Sequence, residues 1–134
     1  MDIYLDIYGT LIANASSIAD REALLNYLLD NFAGRIHWLT SYSEPRIREV
    51  LAREYNEELL ERLINSVKYQ PYDYRKTDGI DFTKKFIWLD DNLTEADYYT
   101  LKEYGALDNQ IHIDPHDSYA ISNALKLIRS IRQS

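Results

Sequence analysis

The sequence predicts an α/β fold in which a mostly parallel sheet packs against helices. Short β-branched and aromatic runs alternate with stretches whose apolar residues recur at helical spacing. Strands alternating with helices imply right-handed crossovers and therefore parallel neighbours. A length of 134 residues with 46% hydrophobic content suits a single core, so residues 1–134 read as one domain.

The first strand is Ile3-Tyr4-Leu5 leading into Asp6-Ile7-Tyr8, stopped by Gly9. From Asp20 to Phe32 the stripe Leu24, Leu25, Leu28, Leu29 and Phe32 predicts the first helix, with Gly34 placed for a left-handed cap. Ile36-His37-Trp38-Leu39 is the second strand, ended by Thr40-Ser41. Ser43 then caps a helix whose first turn holds Glu44 and Pro45 and whose inward face is Ile47, Val50 and Leu51. Asn56 opens another, with Glu57 and Glu58 at the positive end of its dipole and Leu59, Leu60, Leu63, Ile64 and Val67 on one stripe. Residues 69–84 read as a loop with room for a short edge strand. Phe86-Ile87-Trp88-Leu89 is the clearest strand and runs into Asp90-Asp91. Thr94 and Asp97 form the two ends of a capping box for a helix reaching Tyr104 and Gly105. Ile111-His112-Ile113 is a short strand ended by Asp114-Pro115, and a last helix starts near Asp117 with Ile121, Ala124, Leu125, Ile128 and Ile131 inward.

Composition narrows the function classes. Fifteen Lys and Arg against 22 Asp and Glu leave a net charge of −7, which opposes approach to nucleic acid and leaves only a local basic patch open. With no cysteine, a thiolate metal site is impossible, so any metal sits among oxygens or the three histidines. No apolar run approaches the roughly 20 residues that span a bilayer, and the start Met-Asp-Ile-Tyr-Leu-Asp lacks a signal peptide's basic region, so a soluble cytoplasmic protein is expected.

Polar residues fall where open α/β sheets place ligands. Asp6, Thr40, Asp90 and Asp114 each stand at the carboxyl end of a different strand, on one rim of a parallel sheet. Carboxylates gathered there repel one another unless a cation or a raised pKa relieves the charge, and oxygen ligands point to Mg²⁺. His37 and His112 lie within strands and read as packed or exposed side chains rather than ligands. Tyr69, Tyr72 and Tyr74 beside Arg75 read as scattered aromatics or as a surface for stacking a base or sugar.

These residues also resemble a known family. Asp6-Ile7-Tyr8-Gly9-Thr10-Leu11 after an apolar strand resembles the first motif of the haloacid-dehalogenase-like (HAD) superfamily, commonly Asp-x-Asp-Gly-Thr. Thr40 is similar to its second motif, and a lysine followed downstream by Phe-Ile-Trp-Leu-Asp90-Asp91 to its third and fourth. The order covers essentially the whole chain. The resemblance implies a three-layer sandwich with a Rossmann-like sheet and no cap domain, since the core nearly exhausts the length. It implies Asp6 as nucleophile forming an aspartyl-phosphate, Thr40 holding a phosphoryl oxygen, and a lysine neutralising developing charge. Mg²⁺ would be held by Asp6, the Tyr8 backbone carbonyl, Asp90 and Asp91. Lys76, before Thr-Asp-Gly-Ile-Asp-Phe, fits the lysine role better than Lys84 or Lys85, which lie at the far end of the next strand. An open rim of this kind goes with a large phosphorylated substrate, a protein partner or a second copy completing the pocket.

Tyr8 is the departure. The family's phosphatases place an acid two residues after the nucleophile, to protonate the leaving oxygen and then activate water. An ordinary tyrosine titrates near 10 and is poorly matched to that task. Tyr8 therefore contacts the leaving group or merely packs, and the expectations are a slow phosphatase, a catalytically silent binding domain, or, because Asp-x-Tyr-Gly-Thr also occurs in 2-haloacid dehalogenases, a hydrolase attacking carbon.

Overall fold

The computed structural model describes residues 1–133. Five strands, β1 (Asp2–Leu5), β2 (Ile36–Trp38), β3 (Lys68–Tyr69), β4 (Phe86–Asp90) and β5 (Gln110–His112), form one sheet ordered β3-β2-β1-β4-β5. Every pairing is parallel. The helices are α1 (Ile18–Asn31), α2 (Glu44–Ala52), α3 (Glu57–Ser66), α4 (Glu95–Glu103) and α5 (Ala120–Gln133), with short 3₁₀ turns at Lys76–Gly79 and Leu107–Asn109. The architecture is an α/β, Rossmann-like sandwich, and among the described residues no helix is long and apolar enough to cross a membrane.

Alternation along the strands divides the core. Ile3 and Leu5 of β1 and Ile87 and Leu89 of β4 face the larger cluster, where Leu24, Leu25 and Leu28 of α1 meet Leu51 of α2, Leu63 of α3 and Ile121 and Ile128 of α5. Tyr4, Phe86 and Trp88 face the opposite side, covered by Leu101 of α4 and by Ile80, with half-buried Phe82 against them. One face thus carries four helices, the other a single helix and the 70–85 segment.

Among the boundaries that differ from expectation are those of β1, β3 and α5. β1 stops at Leu5 because the Ile7 carbonyl accepts from the N–H groups of Thr10, Leu11 and Ile12 at 3.2, 2.8 and 3.2 Å, turning the chain directly after Asp6. The edge strand begins at Lys68, one residue before the segment read as loop. α5 begins at Ala120 because Asp114 and Asp117 each accept from the backbone two residues on, His116 N–H and Tyr119 N–H, both at 2.9 Å. Such Asx turns compete with helix.

The order of strands matters for function. The chain builds β1, β2 and β3 outward on one side and then returns to lay β4 on the other side of β1. The carboxyl ends of β1 and β4 therefore flank the topological switch point, where open α/β sheets leave a crevice.

Candidate active site at the carboxyl edge of the sheet

Leu5 and Leu89 are register partners, so Asp6 and Asp90 follow side by side on strands spaced about 4.8 Å apart. Asp6 N–H donates to the Leu89 carbonyl at 3.0 Å, holding the chain in line beyond the last residue of β1. Both carboxyls are buried, with Asp6 4% and Asp90 0% exposed. Lys76 reaches between them: its Nζ donates to Asp6 Oδ1 at 2.9 Å and to Asp90 Oδ2 at 2.6 Å. Thr10 Oγ1 donates to Asp6 Oδ2 at 3.3 Å, and Asn92 N–H to Asp90 Oδ1 at 2.9 Å. Asp91 completes the group, with one oxygen from each of Asp6, Asp90 and Asp91 lying within 4.8 Å of the others.

The loop that carries Asp6 is fixed at both ends. Gly9, at φ +79°, packs against Asp91: the backbone conformation favours glycine, and a Cβ there would stand 2.2 Å from Asp91 Oδ2 and displace that carboxylate. Further on, the Leu11 carbonyl accepts from buried Arg21 Nη1 at 2.9 Å and from the Tyr55 hydroxyl. Burial pushes the Tyr55 phenol up to about 12, keeping it a donor throughout the ordinary pH range.

Lys76 is held by a network that sequence reasoning read only in half. Asp97 is buried at the start of α4, where its N–H donates to Thr94 Oγ1 at 3.2 Å, the expected N-cap bond, while its Oδ2 accepts from Thr94 Oγ1 at 2.9 Å rather than from the Thr94 backbone N–H that a full capping box would use. Its other oxygen accepts from both N–H and Oγ1 of Thr77, at 3.0 and 2.9 Å. The helix cap thereby clamps the 3₁₀ turn that begins with Lys76. The capping signature was visible at Thr94 and Asp97, but nothing in the local pattern announces a partner twenty residues upstream.

The electrostatics follow from two buried carboxyls around one ammonium. Desolvation by burial, with the neighbouring Asp90, pushes the Asp6 carboxyl up to about 8, against the opposing pull of Lys76. Burial likewise raises Asp90, with Lys76 opposing. Burial also works against the Lys76 charge, but Asp6 and Asp90 outweigh it and its pKa is raised. Three carboxylates with one oxygen each this close together could hold a metal ion.

These groups line a cleft of about 560 Å³, together with Tyr8, Ser41, Tyr72 and Arg75. No protein-family model matches the chain, and neither a curated protein nor a solved structure does. The site's chemistry therefore rests on its own geometry. Tyr8 is 59% exposed and borders the cleft, so it does not pack away from it. Thr40 is buried, its Oγ1 accepting from Tyr42 N–H at 3.2 Å, while Ser41 lines the cleft. Asp114 does not join the carboxylate cluster; it is exposed and borders a separate cavity with Ile111 and Leu127. It lies two residues beyond β5, at the sheet edge and separated from β1 by β4, so Asp91 rather than Asp114 is the third carboxylate. Lys84 and Lys85 line a cavity at the opposite end of the sheet. None of the three histidines borders this cleft.

Proposed function

We propose that the chain is a capless HAD-like hydrolase that uses Mg²⁺ to cleave a phosphate ester through an aspartyl-phosphate on Asp6. The observation that carries this reading is the Lys76 ammonium seated between Asp6 and Asp90, with Asp91 alongside, at the switch point of a parallel sheet. A carboxylate attacks phosphorus only when repulsion between two anions is cancelled, and this arrangement places the means of cancelling it beside the attacking group.

In the proposed reaction one Asp6 oxygen bonds to phosphorus while the bond to the ester oxygen breaks, and water later attacks the phosphoryl group to release phosphate and regenerate the carboxylate. Lys76 neutralises charge on the phosphoryl oxygens and holds Asp6 in place. Thr10 donates to the other Asp6 oxygen and orients the carboxyl. Ser41, Asn92 and Arg75 border the space a phosphoryl group and its ester would occupy. Asp6, Asp90, Asp91 and the Tyr8 carbonyl would hold Mg²⁺, which supplies charge neutralisation when bound. Tyr8 offers no ready base for the water, so hydrolysis of the acyl-phosphate is the slow step and phosphoryl-enzyme accumulates.

The direct test is hydrolysis of an aryl phosphate with Mg²⁺, where slow turnover lost in Asp6→Asn and in EDTA is expected. Release of chloride from a 2-haloacid without added metal would overturn the metal assignment in favour of attack on carbon.

The raised Asp6 pKa adds a pH signature. The folded protein holds a proton on Asp6 that the unfolded chain, with an ordinary aspartate near 4, has lost. Cation-free stability is therefore expected to fall as pH rises from about 4 to about 8. A cation must displace that proton, so its binding strengthens up to about pH 8 and then levels. The thermal shift produced by saturating Mg²⁺ should accordingly be larger at pH 8 than at pH 6. A shift independent of pH would separate the cation from Asp6.

A further inference from the structure

At the amino edge of the sheet, opposite the carboxylate cluster, lies a second cleft of about 590 Å³. Its lining gathers Arg35, immediately before β2, Lys68, the first residue of β3, and Lys84 and Lys85, immediately before β4, with His37 and Asp2 between them. All four Lys and Arg side chains are exposed, and among the described residues none is in an ion pair. Elsewhere seven Lys and Arg side chains are matched to carboxylates. In a chain of net charge −7, four unmatched cations around one cavity are a local reversal of sign.

His37 gives a second indication. Its Nε2 is buried with no hydrogen-bond partner, the nearest acid being Asp2 Oδ1 at 3.8 Å. A buried polar atom left unpaired is costly, and an acceptor entering the cleft would relieve it. Burial lowers the His37 pKa against the opposing pull of Asp2, with the charges of Lys68 and Lys84 adding to the lowering.

The spacing and lining define the ligand. From Lys68 on β3 to Lys84 and Lys85 before β4 there are three strand intervals, about 14 Å of edge. One phosphate cannot touch all of these positions, whereas several linked phosphates can. The only ring in the lining, His37, is already stacked on Tyr4 at a centroid distance of 5.0 Å, which leaves no free platform for a nucleobase. The acidic remainder of the surface repels a long polyanion.

We infer that this amino-edge cleft is a second binding site, for a compact ligand carrying two or more phosphate groups. Lys68, Lys84 and Lys85 supply point charges, Arg35 a planar fork able to take two phosphate oxygens, and His37 a partner at the base of the cleft. The site is independent of the chemistry at Asp6.

Calorimetric titration of the full chain with inorganic triphosphate, without Mg²⁺, tests it. Expected are one site per chain, weakening when salt is raised, and orthophosphate binding far more weakly. The Lys84→Gln/Lys85→Gln double variant should lose about tenfold or more in affinity, as should Lys68→Gln. Asp6→Asn and Lys76→Met should bind triphosphate as the parent does. These lysines are exposed, so both Gln variants should keep the parent's circular dichroism. Unchanged affinity in folded Gln variants would overturn the inference, and so would loss of binding in Asp6→Asn or Lys76→Met protein that keeps the parent's circular dichroism. Tighter binding of a single-stranded oligonucleotide than of triphosphate would reassign the cleft to nucleic acid.

Discussion

Replacing Tyr8 with aspartate is expected to raise Mg²⁺-dependent hydrolysis of an aryl phosphate by about 10²–10⁴-fold, the range general acid–base catalysis supplies. Tyr8 borders the cleft two residues after Asp6, at 59% exposure, so a carboxyl substituted there meets no packing obstacle. Unlike a phenol, a carboxylate is ionised near neutrality and can take the proton of the attacking water. The gain should appear in the second half-reaction. Acid-quenched parent protein should carry a phosphoryl adduct on the Asp6 peptide, and the variant should carry less of it while turning over faster. Adding Asp6→Asn to the Tyr8→Asp background should return the rate to baseline. No gain in rate would show that something other than the missing acid limits this site.

Lys76→Met should produce the largest loss of both stability and activity. The ammonium is buried between two carboxyls, and removing one partner of a buried ionic cluster typically costs about 3–5 kcal/mol. Loss of the charge beside the attacked phosphoryl group should lower turnover by about 10²–10³-fold. The pH dependence separates charge pairing from packing. Without Lys76 the two carboxyls hold their protons more tightly, so the folded state binds more protons than the unfolded chain over a wider range and loses stability as pH rises. Urea unfolding should therefore show a deficit at pH 8 that shrinks at pH 5. An equal deficit at both would assign it to lost packing of the lysine stem.

Much of this arrangement is legible in the chain before any coordinates. Short β-branched and aromatic runs located four of the strands and helical spacing all five helices, because a buried strand is apolar along its length and each helix buries a face whose residues must repeat with its geometry. The parallel sheet then required Asp6 and Asp90 to share a rim. What escaped was governed by contacts distant in sequence or by competing turns. Asp114 shares the strand-end position of Asp90, but β5 lies at the sheet edge and its acid closes a turn onto His116. Asp91 is expected beside Asp90 as a metal ligand, but its close approach to Gly9 is a contact distant in sequence that no local pattern announces. Lys76 could be favoured over Lys84 and Lys85 from its place in the chain, yet the reason it reaches the site is the Asp97 to Thr77 clamp, which has no sequence pattern.

That clamp also sets how long the site stays assembled. Thr77 and the first turn of α4 share a single carboxylate, so when Asp97 lets go, the helix end frays and the turn carrying Lys76 is released in the same event. Asp6 and Asp90 remain behind on strands held by continuous pairing. The lifetime of the charged triad is then that of a helix terminus rather than that of the sheet. Forms with and without Lys76 between the two carboxyls would interconvert by local opening well below the temperature at which the fold melts.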